Sequence, residues 1–291
     1  MFQLRRQSLP LVAIAANLCA ASIACAGIEL TTNFESGIPS QVNPGVAQLN
    51  GVQGFAGLGP IGRRFSGSFL RSPTGNTVTV TLTNLPPHDL IDLRFLFAAI
   101  DSLDGTGSTP PQGDFLRVRV DGQQVFRESF ANATEQQIQS YVSAPGVQLA
   151  RFIDLGFSGP GSYYRDSAYD MGMEPRFQNL PHTASTLTID FLIEGPGIQD
   201  LNDESWALDE LTIELKSNVV CDSIDFNNDT SLFDPQDIEA FLSVYSEGPC
   251  IPSTATCSDI DFNNDTSVFD PCDISSFLLM YSEGPCTPCG Q

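Results

Sequence analysis

Two segments near the end of the chain are almost the same: DFNNDTSLFDPQDI from Asp225 and DFNNDTSVFDPCDI from Asp261, separated by 261 − 225 = 36 residues. The longer blocks Cys221 to Cys250 and Cys257 to Cys286 agree at 22 of 30 positions. Whatever structure serves one copy must serve the other, so the tail is predicted to be two like units. A solvated acidic tail would need neither bracketing cysteines nor apolar residues at helical spacing.

Within each copy the oxygen-bearing side chains alternate: Asp225, Asn227, Asp229, Ser231, then Asp237, and again Asp261, Asn263, Asp265, Ser267, then Asp273. A loop wound around a hard cation places ligands this way, because alternate residues turn inward and calcium takes six to eight oxygens at about 2.3 to 2.6 Å. The last Asp of each set falls in the first turn of a predicted helix. Its apolar face is read as Ile238, Phe241, Leu242 and Tyr245, and as Ile274, Phe277, Leu278 and Tyr281 in the second copy.

Charge agrees with this division of the chain. Of 291 residues, 35 are acidic and 13 basic. After Lys216 there is no Lys or Arg, while 13 acids follow Asn218. Such a surface repels phosphate backbones and anionic lipid, so nucleic acid is excluded as a partner and cations are favoured. The six cysteines after residue 26 all lie beyond residue 220. A boundary near Ser217 is therefore predicted, with a body over 27–217 that is stable through its core and a small tail over 218–291 that needs covalent help.

Arg5 and Arg6 precede an apolar run from Leu9 to Ala24 that ends in ACAG, which predicts a signal peptide cleaved after Ala26. Cys25 leaves a lipoprotein anchor as an alternative. No later run reaches the roughly 18 apolar residues of a transmembrane helix, so the mature chain is expected to be secreted or held at the cell surface.

The body reads as strands. NTVTVTLTNL, IDLRFLFAAI, DFLRVRVDGQQVFRESF, RFIDLGF, STLTIDFLIEG and WALDELTIEL alternate or run apolar between Gly, Pro, Asn and Asp clusters. Asp121 and Gly122 mark a hairpin turn. The prediction is a mainly β protein: an antiparallel β-sandwich, of jelly-roll type, followed by the small helical module.

The duplicated loop and single helix resemble a dockerin, the calcium module that docks onto cohesin domains. The resemblance is strongest to the cysteine-bracketed variety ending in EGPC, found in exported planctomycete proteins, and covers about the last 70 residues. Two features depart from that pattern. Thr230 and Thr266 stand where the loop usually has Gly, and the final Asp comes one residue late. A Thr at positive φ is strained, so the loop is expected to follow a different path, with Asp234 and Asp270 as further ligands. If the copies share one structure, Cys221 pairs with Cys250 and Cys257 with Cys286, leaving Cys272 for Cys289.

FESG, IDSLDG, GDFLRVRVDG and DESWALDEL resemble extracellular jelly-roll modules of the MAM and reelin-repeat kind. In those the first and last strands are neighbours and an acid from each can share calcium. The resemblance implies Glu35 and Asp209 as that pair, with Asp101, Asp104 or Asp114 as further ligands. Turn-capping acids are the alternative reading.

No catalytic residue stands out. His88 and His182 each follow proline, and the chain has neither Gly-x-Ser-x-Gly nor HExxH. Trp206 is read as core. Tyr163, Tyr164 and Tyr169, in a Gly-rich segment, are the candidate ligand-binding surface. The reading is an exported binding or adhesion protein, with carbohydrate a candidate ligand of its sandwich and with a calcium-dependent tail that anchors it to a cohesin-like partner or cell-surface scaffold. The alternatives are a polysaccharide hydrolase or lyase carried by the same tail, and a structural surface-layer component.

Overall fold

The computed structural model describes residues 27–106, 113–157, 165–216, 221–264 and 267–282. The predicted signal peptide, the boundary near Ser217, and Tyr163, Tyr164, Asp265, Cys286 and Cys289 lie outside them.

Within the described residues the body is mainly β, with short 3-10 turns at Gln53–Phe55, Met171–Met173 and Pro175–Phe177. Its strands are β1 (Ile28–Thr32), β2 (Val42–Asn43), β3 (Gln48–Gly51), β4 (Ser68–Pro73), β5 (Thr77–Thr83), β6 (Leu90–Asp101) and β7 (Phe115–Val120). They continue with β8 (Gln123–Ser129), β9 (Gln148–Ile153), β10 (Asp166–Asp170), β11 (Leu180–Pro181), β12 (Thr186–Glu194) and β13 (Glu204–Lys216). Two sheets form, one ordered β3-β4-β13-β6-β10-β9 with β1 added to β13 and β11 to β6, the other β2-β5-β12-β7-β8. All their pairings are antiparallel. The shared core of Phe95, Phe97, Phe126, Phe130, Phe191, Trp206 and the aliphatic residues of both sheets makes this a β-sandwich.

The predicted hairpin forms, with Asp121 and Gly122 at φ 48° and 78° between β7 and β8, as a turn matched to strand twist requires. β6 and β13 are buried along most of their length on both faces. A second cluster, built from Phe55, Phe65, Phe69, Leu96, Ala98, Ile100, Phe157 and Ala207, covers the outer face of the larger sheet. Double coverage explains why the second part of IDLRFLFAAI, from Phe95 to Ile100, reads as a continuous apolar run. Trp206 is fully buried and its Nε1 donates to Pro73 O at 3.1 Å.

Tyr169 corrects an expectation. It belongs to β10, is fully buried, and packs on Phe130, Tyr141 and Phe97 at centroid distances of 4.9, 5.7 and 6.1 Å. A tyrosine next to a Gly-rich loop looks exposed in sequence. Here strand pairing with β6 turns it into the core, so it offers no ligand surface.

The tail carries α1 (Pro235–Tyr245) and α2 (Pro271–Tyr281). Asp234 and Asp270 are their N-caps, each closing a capping box with the N3 residue, Asp237 or Asp273, and Pro stands at N1 of each. The buried stripe is Asp237, Ala240 and Phe241, matched by Asp273, Ser276 and Phe277. Leu242 and Leu278, expected inside, are each 51% exposed. The bonds between the copies come in pairs that a 36-residue shift interchanges. Asp222 N donates to Phe262 O at 2.8 Å and Ser258 N to Phe226 O at 2.9 Å. Tyr245 Oη donates to Phe269 O and Tyr281 Oη to Phe233 O, at 3.1 and 2.9 Å. Phe241 and Phe277 stack at 4.2 Å where the two units meet. The tail is an approximate twofold around that stack.

This arrangement also corrects the disulfides. Cys250 bonds Cys257, not Cys221 and Cys286 respectively, with Cα atoms 5.6 Å apart. The link between the copies turns back at Pro252 to Ala255, where Ala255 N donates to Pro252 O at 2.8 Å. That turn brings the end of one block beside the start of the next, within bridging distance. Cys221 and Cys272 are also in disulfides.

Truncating Tyr169 to alanine is expected to destabilise the body by about 3 to 5 kcal/mol. Denaturant unfolding of the variant checks this; a loss under about 0.5 kcal/mol, the surface norm, would return Tyr169 to the surface.

Candidate metal centres

A buried carboxylate is costly unless a positive charge or several hydrogen bonds meet it. Several buried acids in the body are met by side chains. Asp92 contacts Lys216 at 2.5 Å, Asp170 takes Arg63 through both oxygens at 2.6 and 2.7 Å, and Glu174 takes Arg176 at 2.7 Å. Among the described residues no basic side chain ion-pairs with Asp114, Glu204, Asp209, Asp237 or Asp273, all fully buried. These five fall into the candidate centres.

In the first tail loop the backbone gathers the predicted ligands. Asp229 N donates to Asp225 Oδ1 at 2.9 Å and to Asn227 Oδ1 at 3.0 Å, and Thr230 N donates to Asp225 Oδ2 at 2.9 Å. Phe226 N donates to Asp237 Oδ1 at 2.9 Å, tying the end of the ligand series back to its start. Ser231 is exposed, and its N–H donates to Asp229 Oδ1 at 2.8 Å. Thr230 sits at φ 75°, so the loop keeps the path that glycine usually permits and holds a strained threonine instead.

Asp234 and Asp270, expected as further ligands, have Oδ1 turned to the helix N–H groups. Their capping role accounts for the DP pair in each copy. In the second loop Asn263 and Asp273 are fully buried, and Asp273 Oδ1 has no hydrogen-bond partner. Burial pushes the Asp273 carboxyl up to about 6, with Asp270 and Asp261 adding repulsion. Oxygen-only donors, an orphaned buried oxygen and surplus negative charge fit a hard divalent cation.

In the body β1 does pair with β13, as expected of the first and last strands. Glu35, just past β1, accepts from Ser66 Oγ at 3.1 Å and Ser68 N at 3.4 Å. Asp209 Oδ2 accepts from Ser66 N at 3.4 Å. The two acids therefore share one turn, which passes so close to Glu35 that a side chain at Gly67 would overlap its carboxylate. A bulge in β13, with Glu210 at φ 50°, lies beside Asp209; such irregularities re-aim side chains. Burial, with Glu210 and Glu35 nearby, pushes the Asp209 carboxyl up to about 8.

Asp104 and Asp114 do not join that pair. They meet Glu204, which sequence reading passed over, with one carboxylate oxygen from each lying within 4.8 Å of the others. Asp104 N donates to Asp114 Oδ2 at 2.6 Å, Gln137 Nε2 donates to Asp104 Oδ1 at 2.5 Å, and Gln199 N donates to Glu204 Oε2 at 3.0 Å. Asp114 Oδ1 is buried without a partner. Desolvation pushes all three carboxyls upward; Asp203 adds repulsion on Asp104, Asp104 on Asp114, and both Asp114 and Asp104 on Glu204. At an effective dielectric of about 20, two unit charges at this spacing repel by roughly 3 kcal/mol. Asp101, the other expected ligand, instead lies 3.6 Å from Arg71.

The histidines form a structural contact across loops: His88 Nε2 lies 2.6 Å from His182 Nδ1, and His88 Nδ1 lies 2.6 Å from Pro86 O. Asn132 opens an Asn-Ala-Thr triplet that formally matches a glycosylation acceptor, but it is fully buried, its amide donating to Asp101 O and Arg165 O. In the folded chain it is no glycan acceptor.

No family model matches the chain, and no curated protein matches it. Solved structures give weak likenesses. The CBM22-1 and GH10 modules of Clostridium thermocellum endo-1,4-β-D-xylanase 10B, complexed with xylohexaose, align at 10% identity and TM-score 0.25, over 68% of this chain and 30% of that one. A Paenibacillus cycloisomaltooligosaccharide glucanotransferase aligns at 14% and 0.25, over 63% and 19%. The Agl-KA catalytic domain aligns at 17% and 0.27, over 72% and 33%. The chain thus spans a third or less of each structure's length, and scores this low carry no argument about function. No helix among the described residues is long and apolar enough to cross a membrane.

Asp166 tests the electrostatics away from these centres. Its Oδ1 accepts from Asp101 N and its Oδ2 from Leu155 N, yet burial pushes its carboxyl up to about 6. The unfolded value is about 3.9, so the folded chain binds this proton more tightly. Its contribution to stability is full below pH ~4 and is lost as pH rises through about 6. Carboxyl NMR should give a midpoint near 6 for Asp166; a midpoint near 4 would show the burial argument wrong.

Proposed function

We propose that this is an exported binding protein in two parts. A β-sandwich of the jelly-roll kind, over 27–217, takes up an extracellular ligand, and a dockerin-like calcium tail, over 218–291, fastens it to a cohesin-like partner or a cell-surface scaffold. One observation carries the reading: a loop written twice in the sequence, whose acids in the first copy are gathered inward by backbone N–H groups, with no basic residue anywhere after Lys216.

Calcium would be held by Asp225, Asn227, Asp229 and Asp237 in the first loop, and by Asp261, Asn263 and Asp273 in the second. Bound there, it would neutralise the gathered charge and let each loop keep its fold against its helix. The tail also carries apolar side chains in twin positions outside its core: Leu232 with Val268, Phe233 with Phe269, and Leu242 with Leu278, each between 44% and 60% exposed. A module this small gains nothing from exposing six such residues unless a partner covers them. Their twofold repetition suits a protein partner with an apolar groove. For the sandwich, a glycan is the ligand class to test first, because Tyr163 and Tyr164 offer the flat faces and polar tips that suit a sugar ring.

Calorimetric titration of the full chain with calcium, beside an Asp225→Asn/Asp261→Asn variant, is expected to show two fewer equivalents bound by the variant. Chelator should also lower the melting temperature of the wild-type tail. Equal calcium uptake by both proteins would remove the basis of the docking role.

A further inference from the structure

The cluster of Asp104, Asp114 and Glu204 lies outside the tail, and its three acids come from separate parts of the sandwich. Glu204 opens β13 in the larger sheet, opposite Asp101 of β6. It is two residues before Trp206, so by strand alternation it faces the other sheet, as Trp206 does. Asp114 immediately precedes β7 in the smaller sheet, and Asp104 lies on the connection from β6. The stretch between Asp104 and Asp114, GTGSTPPQG, contains no charged residue.

We propose that Asp104, Asp114 and Glu204 form a calcium site that ties the two sheets together at this end of the sandwich. Three independent features point to it. One oxygen from each acid lies within 4.8 Å of the others, and two oxygens on a single calcium ion are at most about 4.8 Å apart, twice the ~2.4 Å bond length. Asp114 is fully buried and its Oδ1 has no hydrogen-bond partner. Among the described residues no basic side chain ion-pairs with any of the three, although the same sandwich supplies one to Asp92, Asp170 and Glu174. Donors that are all oxygen, drawn from an irregular connection and two strand starts, suit calcium better than zinc or copper. The site is separate from Glu35 and Asp209. Glu204 and Asp209 are five positions apart along β13, about 17 Å of strand, and an odd separation turns the two side chains to opposite faces.

The site is independent of the tail reading, and the experiment keeps the two apart. Bound calcium is counted by equilibrium dialysis, and melting is followed with calcium or with chelator, for four full-length proteins. These are the wild type, Glu204→Gln, Asp114→Asn and the tail variant Asp225→Asn/Asp261→Asn. The tail variant is expected to retain one calcium and a calcium-dependent melting temperature for the body. Glu204→Gln and Asp114→Asn should each lose one calcium and most of that body shift. In chelator each should melt at or above the wild-type temperature, because an amide relieves repulsion that no metal then offsets. A tail variant that binds no calcium, with a body melting identically in calcium and chelator, overturns the proposal and leaves the tail reading intact. So does a Glu204→Gln or Asp114→Asn protein that is destabilised equally in both buffers, since the acids would then be serving hydrogen bonds or a shared proton. Should both of those variants fail to fold, the half-buried Asp104→Asn substitution, together with the tail variant's own count, decides the matter. Magnesium in place of calcium should bind at least tenfold more weakly.

Discussion

A buried carboxylate must find positive charge, and that requirement organises this molecule more than any other. The chain is short of basic residues, and several of those in the sandwich lie against an enclosed acid: Lys216 on Asp92, Arg63 on Asp170, Arg176 on Glu174, Arg71 near Asp101. Asp166 apart, the buried acids left without an ion pair gather at the start of β13 with Asp104 and Asp114, at the β13 bulge with Glu35, and at the N3 position of each tail helix. A fold that placed acids at random would leave most of them in water, where each costs little.

The sandwich can concentrate charge this way because its central ladder is sealed. β13 and β6 pair over nearly their whole length, with one apolar cluster between the sheets and another on the outer face. Water is excluded on both sides, so acids at the ends or at an irregularity of that ladder feel the low dielectric and hold their protons more tightly. Asp209 illustrates the coupling. Its burial follows from sheet pairing, its position lies beside the bulge, and its raised affinity for a proton follows from both.

The tail uses a different economy of structure. Among the described residues its core is seven buried apolar side chains, nearly all in matched pairs around the Phe241 and Phe277 stack. So small a core needs disulfides, and the twofold decides how they run. With the copies facing each other, Cys250 meets Cys257 across the link. Thr230 at positive φ shows the same dominance of the whole over the part: four backbone donations onto Asp225, Asn227 and Asp229 hold the loop against a strain of about 1 to 3 kcal/mol.

The sequence alone determined what local pattern and composition can carry. Alternation located β5, β7 and β12, the Asp-Gly pair placed the hairpin, and the 36-residue repeat announced twin loops with helices after them. Each of these depends on neighbours within a few residues, so it is written in the chain. Tertiary structure decided what depends on distant partners. It buried Tyr169, turned Leu242 and Leu278 outward, assigned Asp234 and Asp270 to helix caps, and paired Cys250 with Cys257. It also brought Glu204 to Asp104 and Asp114 across some 90 residues and between two sheets. No local pattern encodes that meeting, because the long-range pairing of β6, β7 and β13 has to form before the three carboxylates share a space.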